Sequence, residues 1–179
     1  DTWREMALKA GLNGLYLVGV YSPPDWIPAN SGLDGCVNPK FPSRRRMHVP
    51  RREVLAWLAN IYESKLGLPT IYPYKDIINS LFDYVDLRHS KYPCVVPNWD
   101  NTARSGANGL VLEGSTPEAF GIQVKKALDL TKSQPSDKRL IFVKSWNEWA
   151  EGNYLEPDKK YGKAYLEIIK NEMLTFPNV

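Results

Sequence analysis

The sequence predicts an α/β fold in which parallel strands are covered by helices. Residues 15–20, 92–97 and 140–143 are short, nearly continuous apolar runs of the kind buried on both faces of a parallel sheet. Stretches with apolar residues at helical spacing alternate with these runs, as in βα units. Right-handed crossovers would then bring the loops after Val20, Pro97 and Ser145 to one rim, where folds of this class collect their chemistry. With 179 residues and 43% hydrophobic content, the chain can bury one core. It is short for a complete eight-stranded α/β barrel, which takes about 250 residues, so one domain or part of one is expected.

The elements follow in order. Thr2 and Glu5 fit a capping box at the start of a helix whose apolar face is Trp3, Met6, Ala7 and Ala10, and Gly11 suits a left-handed stop. After the strand at 15–20, Pro23, Pro24, Pro28, Pro39, Pro42 and Pro50 make a loop region with room for one short strand near 33–37. Arg44, Arg45 and Arg46 with Arg51 and Arg52 form a basic cluster, either a binder of activated-sugar phosphates or an anionic glycan, or a solvated face. Val54, Leu55, Leu58, Ile61 and Tyr62 recur at helical spacing, and Gly67 and Pro69 end that helix. A shorter helix carries Ile77, Ile78, Leu81 and Phe82, with Tyr72, Tyr74 and Tyr84 around it.

The strand at 92–97 leads into Asn98-Trp99-Asp100-Asn101-Thr102, where Asp100 either orients a sugar hydroxyl or Arg104, or holds an Asx turn. The next helix starts with Thr116 as N-cap and Pro117 in its first turn, or with Ser115 and Glu118 as a capping box. Its buried stripe is Phe120, Val124, Ala127 and Leu128, and a polar connector at 133–138 leads to the last strand. A final helix turns Tyr165, Ile168, Ile169 and Met173 to a core.

Several classes are excluded or left without support. Twenty-three basic and 20 acidic residues give a net charge of +3, which does not call for nucleic acid or a membrane surface. No apolar run reaches the roughly 18 residues of a transmembrane helix. The start at Asp1, inside a helical pattern, reads as a fragment or processed product. Cys36 and Cys94 lack metal-ligand spacing, His48 and His89 are isolated, and no nucleotide-binding or serine-nucleophile motif occurs. No metal or cofactor is expected.

Chemistry concentrates in Trp146-Asn147-Glu148-Trp149-Ala150-Glu151-Gly152. Glycosidic bond chemistry needs one carboxyl group to protonate the leaving oxygen and a second as base or nucleophile, and Glu148 and Glu151 are the obvious pair. On a helical turn they would share a face with β-carbons about 5–6 Å apart; in an extended loop they could stand about 10 Å apart. Trp146 and Trp149 offer an apolar wall, Asn147 a hydroxyl partner, and Trp99 and Asp100 join them as expected substrate contacts. Alternation places Lys144 on the face of Phe142 and Trp146: an anion or hydroxyl binder if that face is internal, a helix-covering stem if not.

This motif, followed by Leu155-Glu156-Pro157-Asp158, Tyr161-Gly162 and Tyr165-Leu166, resembles the C-terminal signature of the WbsX-like glycosyltransferases of bacterial surface polysaccharide synthesis, which are similar to glycoside hydrolase family 99. Trp99-Asp100-Asn101-Thr102 and the helix start at Ser115-Thr116-Pro117 belong to the same resemblance. It implies a (β/α)8 TIM-type barrel of which residues 1–179 are the C-terminal half, completed by a missing N-terminal half or by self-association. It also implies that Glu148 is a base acting on a sugar 2-hydroxyl, by way of an anhydro-sugar, and that Glu151 is the general acid. Ala150 stands where the hydrolases carry His, which leans the chain toward the WbsX-like branch. The substrate is then a glycan or activated sugar, with a cytoplasmic location favoured for a transferase. An endo-acting glycoside hydrolase and a non-catalytic glycan-binding module are the alternatives.

Overall fold

The computed structural model describes residues 2–21, 23, 25–39, 41–42 and 66–176. The arginine cluster at 44–46 and 51–52, His48 and the helix expected around residues 54–62 lie outside them. The chain is mixed α/β, with parallel strands and covering helices, and no closed barrel forms among the described residues.

Helix α1 (Thr2–Lys9) precedes the edge strand β1 (Val18–Val20), which pairs in parallel with β2 (Gly35–Val37). The next strand is interrupted by Pro93, which has no N–H to continue a ladder. Its first part, β4 (Lys91–Tyr92), pairs with β2; its second, β5 (Cys94–Val95), pairs with β7 (Phe142–Val143), again in parallel. Strand-bearing segments 18–20, 35–37, 91–95 and 142–143 thus succeed one another in chain order. Strands β3 (Thr70–Pro73) and β6 (Leu110–Glu113) form a separate parallel pair and were not expected. At four residues each, one ending in Pro, they stand at the lower limit for reading a strand pattern.

One face of the main strands carries Tyr16, Tyr92 and Phe142, with ring centroids 6.4 and 6.2 Å apart in succession. Gly35 is required here, since a Cβ would stand 2.6 Å from the Tyr92 ring. The opposite face packs Val95 against Phe120, Val124, Ala127 and Leu128 of α4 (Pro117–Thr131) and Tyr165 of α5 (Ala164–Thr175). Thr116 is the N-cap, its Oγ1 accepting the Ala119 N–H at 3.2 Å, while the Ser115 hydroxyl instead donates to the Pro97 carbonyl. A second core joins α2 (Tyr74–Ile77), the 3-10 turn Ser80–Phe82 and the β3–β6 pair, and buries Ile77, Ile78, Leu81 and Trp99; the short helix α3 (Thr102–Ser105) follows the loop after Trp99.

Three expectations are corrected. Trp3 and Met6 are 73% and 60% exposed, and of the expected helix face Ala7 alone is buried within α1. Among the described residues β1 pairs with β2 alone, and Val20 is 58% exposed rather than covered on both faces. Met173 is also exposed, and Phe176 packs against the core at that end of α5.

Arg4 ties α1 to the loop before β2, donating to Asp34 at 2.7 Å, while the same carboxylate accepts the Leu17 N–H at 2.7 Å. The Leu17 amide, with Arg4 as a further contributor, holds the Asp34 carboxyl below its ordinary value. A depressed folded-state value adds stability above the unfolded value, and that stability is lost as pH falls through the carboxylate range. Asp34→Asn is therefore expected to cost about 1 kcal/mol or less at pH 7, the pair being screened by solvent. Urea melts should show the gap from wild type closing as the pH is lowered into the acid range.

Candidate active site

At the C-terminal end of β7 the Lys144 N–H donates to the Val95 carbonyl at 2.9 Å, extending the ladder by one residue before the chain turns away. The carboxylate-bearing stretch is neither a helical turn nor an open loop but a hairpin. β8 (Asn147–Glu148) runs antiparallel to β9 (Asn153–Tyr154), Glu148 opposite Asn153, with a 3-10 turn over Trp149–Glu151 between them. Gly152 closes that turn at φ 53°, a left-handed value costly for other residues. A Cβ there would meet the Asp100 carbonyl oxygen at 2.8 Å and its nitrogen at 2.9 Å.

The hairpin is docked by Asn153, whose side chain is fully buried. Its Nδ2 donates to the carbonyls of Asn98 at 2.7 Å and Lys144 at 2.8 Å, and Oδ1 accepts the Ser145 hydroxyl at 2.9 Å. In return Asn98 Oδ1 accepts the Tyr154 N–H at 2.9 Å, and the Asp100 N–H donates to the Glu151 carbonyl at 2.9 Å. The hairpin and the 98–100 loop therefore hold each other through a network of polar contacts centred on the buried Asn153 side chain. Gly152→Ala is expected to lose about 1–3 kcal/mol through strain and the Asp100 clash. Gly162→Ala, at φ 54° with open space around the new methyl, should lose less; comparing the two thermal melts isolates the contact.

Glu151 is partly buried between two cations: Arg104 Nη1 lies 3.3 Å from Oε1 and Lys144 Nζ lies 3.8 Å from Oε2. Lys144 also stands 4.9 Å from the Trp99 ring centre and 5.9 Å from that of Tyr21. Its ammonium thus faces the Glu151 carboxylate and two aromatic rings instead of lying along a helix. These contacts also bring together the loops after Val20, after Pro97 and after β7, as the parallel arrangement anticipates. Glu148 is partly buried, and its carboxylate makes no hydrogen bond or ion pair with the described residues.

Trp149 stacks on Tyr154, ring centres 3.7 Å apart and planes 16° from parallel, and its Nε1 donates to Glu156 at 2.7 Å. It is thereby fixed as a platform while 47% exposed; Trp146 is 51% exposed and Asn147 is also on the surface. Trp99 differs: it is buried at 8% and packs on Phe41, with ring centres 4.2 Å apart. Asp100 makes the Asx turn, its Oδ1 accepting the Thr102 N–H at 3.0 Å, and Arg104 turns to Glu151 instead. Burial pushes the Cys94 thiol up to about 12, which removes it as a nucleophile at neutral pH. Among the described residues no cluster suited to a metal ion occurs.

Sequence reasoning missed the roles of Asn153 and Asn98, because nothing in Gly152-Asn153-Tyr154 or Pro97-Asn98-Trp99 announces that the two loops bond to each other. Tyr154 as the support of Trp149 was equally silent.

Two carboxylates, two exposed indoles and two cations thus gather around the hairpin that follows β7. Residues 1–169 match the family model described as "Glycosyltransferase WbsX". The chain belongs to this WbsX glycosyltransferase family. Similar proteins occur in two strains of Xanthomonas campestris pv. campestris, both described as "Uncharacterized protein WxcX". They are 28% and 27% identical over 192 residues, covering 99% of this chain and 25% of each relative. The chain thus spans about a quarter of the length of these relatives. No solved structure matches it. Among the described residues no helix is long and apolar enough to cross a membrane.

Proposed function

We propose that the hairpin at 146–152 is the reactive centre of an enzyme that makes glycosidic bonds in bacterial surface polysaccharide metabolism, with Glu148 as base and Glu151 as acid. The observation that carries this reading is the convergence on one hairpin of an unpaired carboxylate, a cation-bound carboxylate and the Trp149 platform. Stacking on an indole covers the apolar face of a sugar ring, and Glu148 keeps its oxygens free for a hydroxyl proton. For Glu151 to donate a proton, the entering glycan must displace a cation from it. Arg104, with 64% of its side chain exposed, is the displaceable partner, and Lys144, at 20%, the fixed one. Asn147, Trp146 and Asp100 line the approach to this centre in the same reading, and Trp99 acts through Lys144 beneath it.

The successive parallel segments 18–20, 35–37, 91–95 and 142–143 support residues 1–179 as the C-terminal half of a (β/α)8 catalytic domain. Its missing half, or a second copy, would cover the edges at β1 and β7. Beside β7 an apolar cavity of about 460 Å³, lined by Val143, Ile141 and Met173 among others, suits such a neighbour.

The test is an assay of the full-length protein with oligosaccharide acceptors, with and without nucleotide-sugar donors. Elongated product that appears only with a donor is expected. Release of reducing sugar without donor would assign the hydrolase reaction instead.

A further inference from the structure

Behind the hairpin lies a cavity of about 370 Å³, distinct in its lining from the apolar one beside β7. Its volume sits at the lower end of the roughly 300–1,000 Å³ range of small-molecule sites. Asp100, Ser115, Tyr154, Asp158, Lys160 and Tyr161 supply its polar and aromatic wall. We propose that this cavity is a second glycan subsite, holding one uncharged pyranose unit next to the unit processed at the hairpin. This rests on the glycan-processing reading above.

The lining chooses the ligand class. Asp158 Oδ2 accepts the Tyr154 hydroxyl at 3.2 Å and Oδ1 accepts the Tyr161 N–H, which leaves each oxygen one further lone pair. Asp100 uses Oδ1 for Thr102, and its Oδ2 accepts no hydrogen bond from the described residues. Acceptors are thus in surplus, facing a single ammonium, Lys160, which lies 4.6 Å from the Tyr161 ring centre. Two carboxylates repel a phosphate or a uronic acid, whereas the hydroxyls of a neutral sugar are the donors they lack. The wall is also preorganised: Tyr161 meets Tyr165 edge-on with ring centres 5.6 Å apart, and the Tyr165 hydroxyl lies 2.9 Å from Ser115 Oγ. Burial, then the nearby Asp158, raises the Tyr154 hydroxyl above its ordinary value and keeps it a donor to that carboxylate.

Position ties the cavity to the reactive centre. Gly152 and Asp100 belong to its wall, Gly152 follows Glu151 directly, and the Asp100 amide donates to the Glu151 carbonyl. A glycan seated here would extend along the back of the hairpin toward its carboxylates.

The experiment is saturation-transfer NMR on the full-length protein with the methyl glycosides of glucose, galactose and mannose at millimolar concentration. Methyl glucuronide and inorganic phosphate serve as anionic probes. At least one neutral glycoside is expected to bind, about tenfold more weakly in Asp158→Asn and Tyr161→Ala, the loss of a charge-assisted hydrogen bond or ring contact. Because either cavity variant could unfold the loop, hydrogen exchange on the wild-type protein supplies the second readout, with protection expected in peptides covering 111–115 and 153–162. The proposal is overturned by preference for an anionic probe, by binding that ignores both cavity variants, by the absence of protection in those two peptides, or by no binding of any neutral glycoside. Loss of turnover in Glu148→Gln without sugar binding at the cavity would refute the subsite alone; cavity binding with turnover intact in Glu148→Gln would refute the hairpin chemistry alone.

Discussion

Glu148→Gln in the full-length protein is expected to lower turnover by about 10²–10⁴-fold, the usual contribution of a positioned proton-transfer group, with folding unchanged. The amide keeps the size of the side chain and removes its basicity. Because the Glu148 carboxylate has no partner among the described residues to lose, stability should stay within about 0.5 kcal/mol of wild type. Glu151→Gln is expected to cost a comparable factor in turnover, but with a second signature. It leaves Lys144 and Arg104 facing a neutral amide, so thermal stability should fall as well, where Glu148→Gln leaves it unchanged. Lost turnover with stability split in this way separates the two carboxylates; equal turnover in both variants and wild type would contradict the assignment.

Asn153→Ala has the largest expected effect on the fold of the site. The substitution strips donors from two carbonyls, Asn98 and Lys144, at a fully buried position, while the Ser145 hydroxyl keeps the main-chain carbonyl of residue 153 as its acceptor. Each buried group left unsatisfied costs about 1–3 kcal/mol, so a loss of about 3 kcal/mol or more is expected in denaturant melts. Activity should fall with it, because the hairpin loses its dock on the 98–100 loop. Asn98→Asp is the informative contrast: it keeps the oxygen that accepts the Tyr154 amide and should lose about 1 kcal/mol or less. If Asn153→Ala melts like wild type, the hairpin is held by something other than this clamp.

The parts of the fold that were legible in the sequence are those where one physical signal dominates. Pro117 after Thr116 and the stripe Phe120, Val124, Ala127 and Leu128 specify a capped helix with one buried face, and α4 is built that way. The apolar runs that became β5 and β7 had no competing reading, because nothing polar interrupts them, whereas β2 fell in a proline-rich loop region with room for one short strand near 33–37. β3 and β6 were harder, although Leu110-Val111-Leu112 between two glycines carries a strand signal of its own. Trp3, Met6 and Met173 show the limit of periodicity: it marks an apolar face without saying whether the described chain contains anything to cover it.

For the candidate site, residue type exposed the carboxylates and indoles, and spacing could not orient them. Glu148 and Glu151 stand three positions apart in both a helix and a hairpin, and the choice was made by Asn153 and Gly152 reaching across to Asn98 and Asp100, some 50 residues earlier in the chain. Lys144 was ambiguous for the same reason. Alternation named its face, and the loops carrying Tyr21 and Trp99 decided what that face meets.

The central claim is that glycan chemistry occurs at this hairpin. The most direct measurement is a structure of full-length Glu151→Gln soaked with its oligosaccharide acceptor and a donor sugar. A sugar ring against Trp149, with a hydroxyl within hydrogen-bond reach of Glu148, about 2.6–3.2 Å, is the predicted result. A glycan bound with its reacting carbon away from the hairpin, and Glu148 facing bulk solvent, would contradict it.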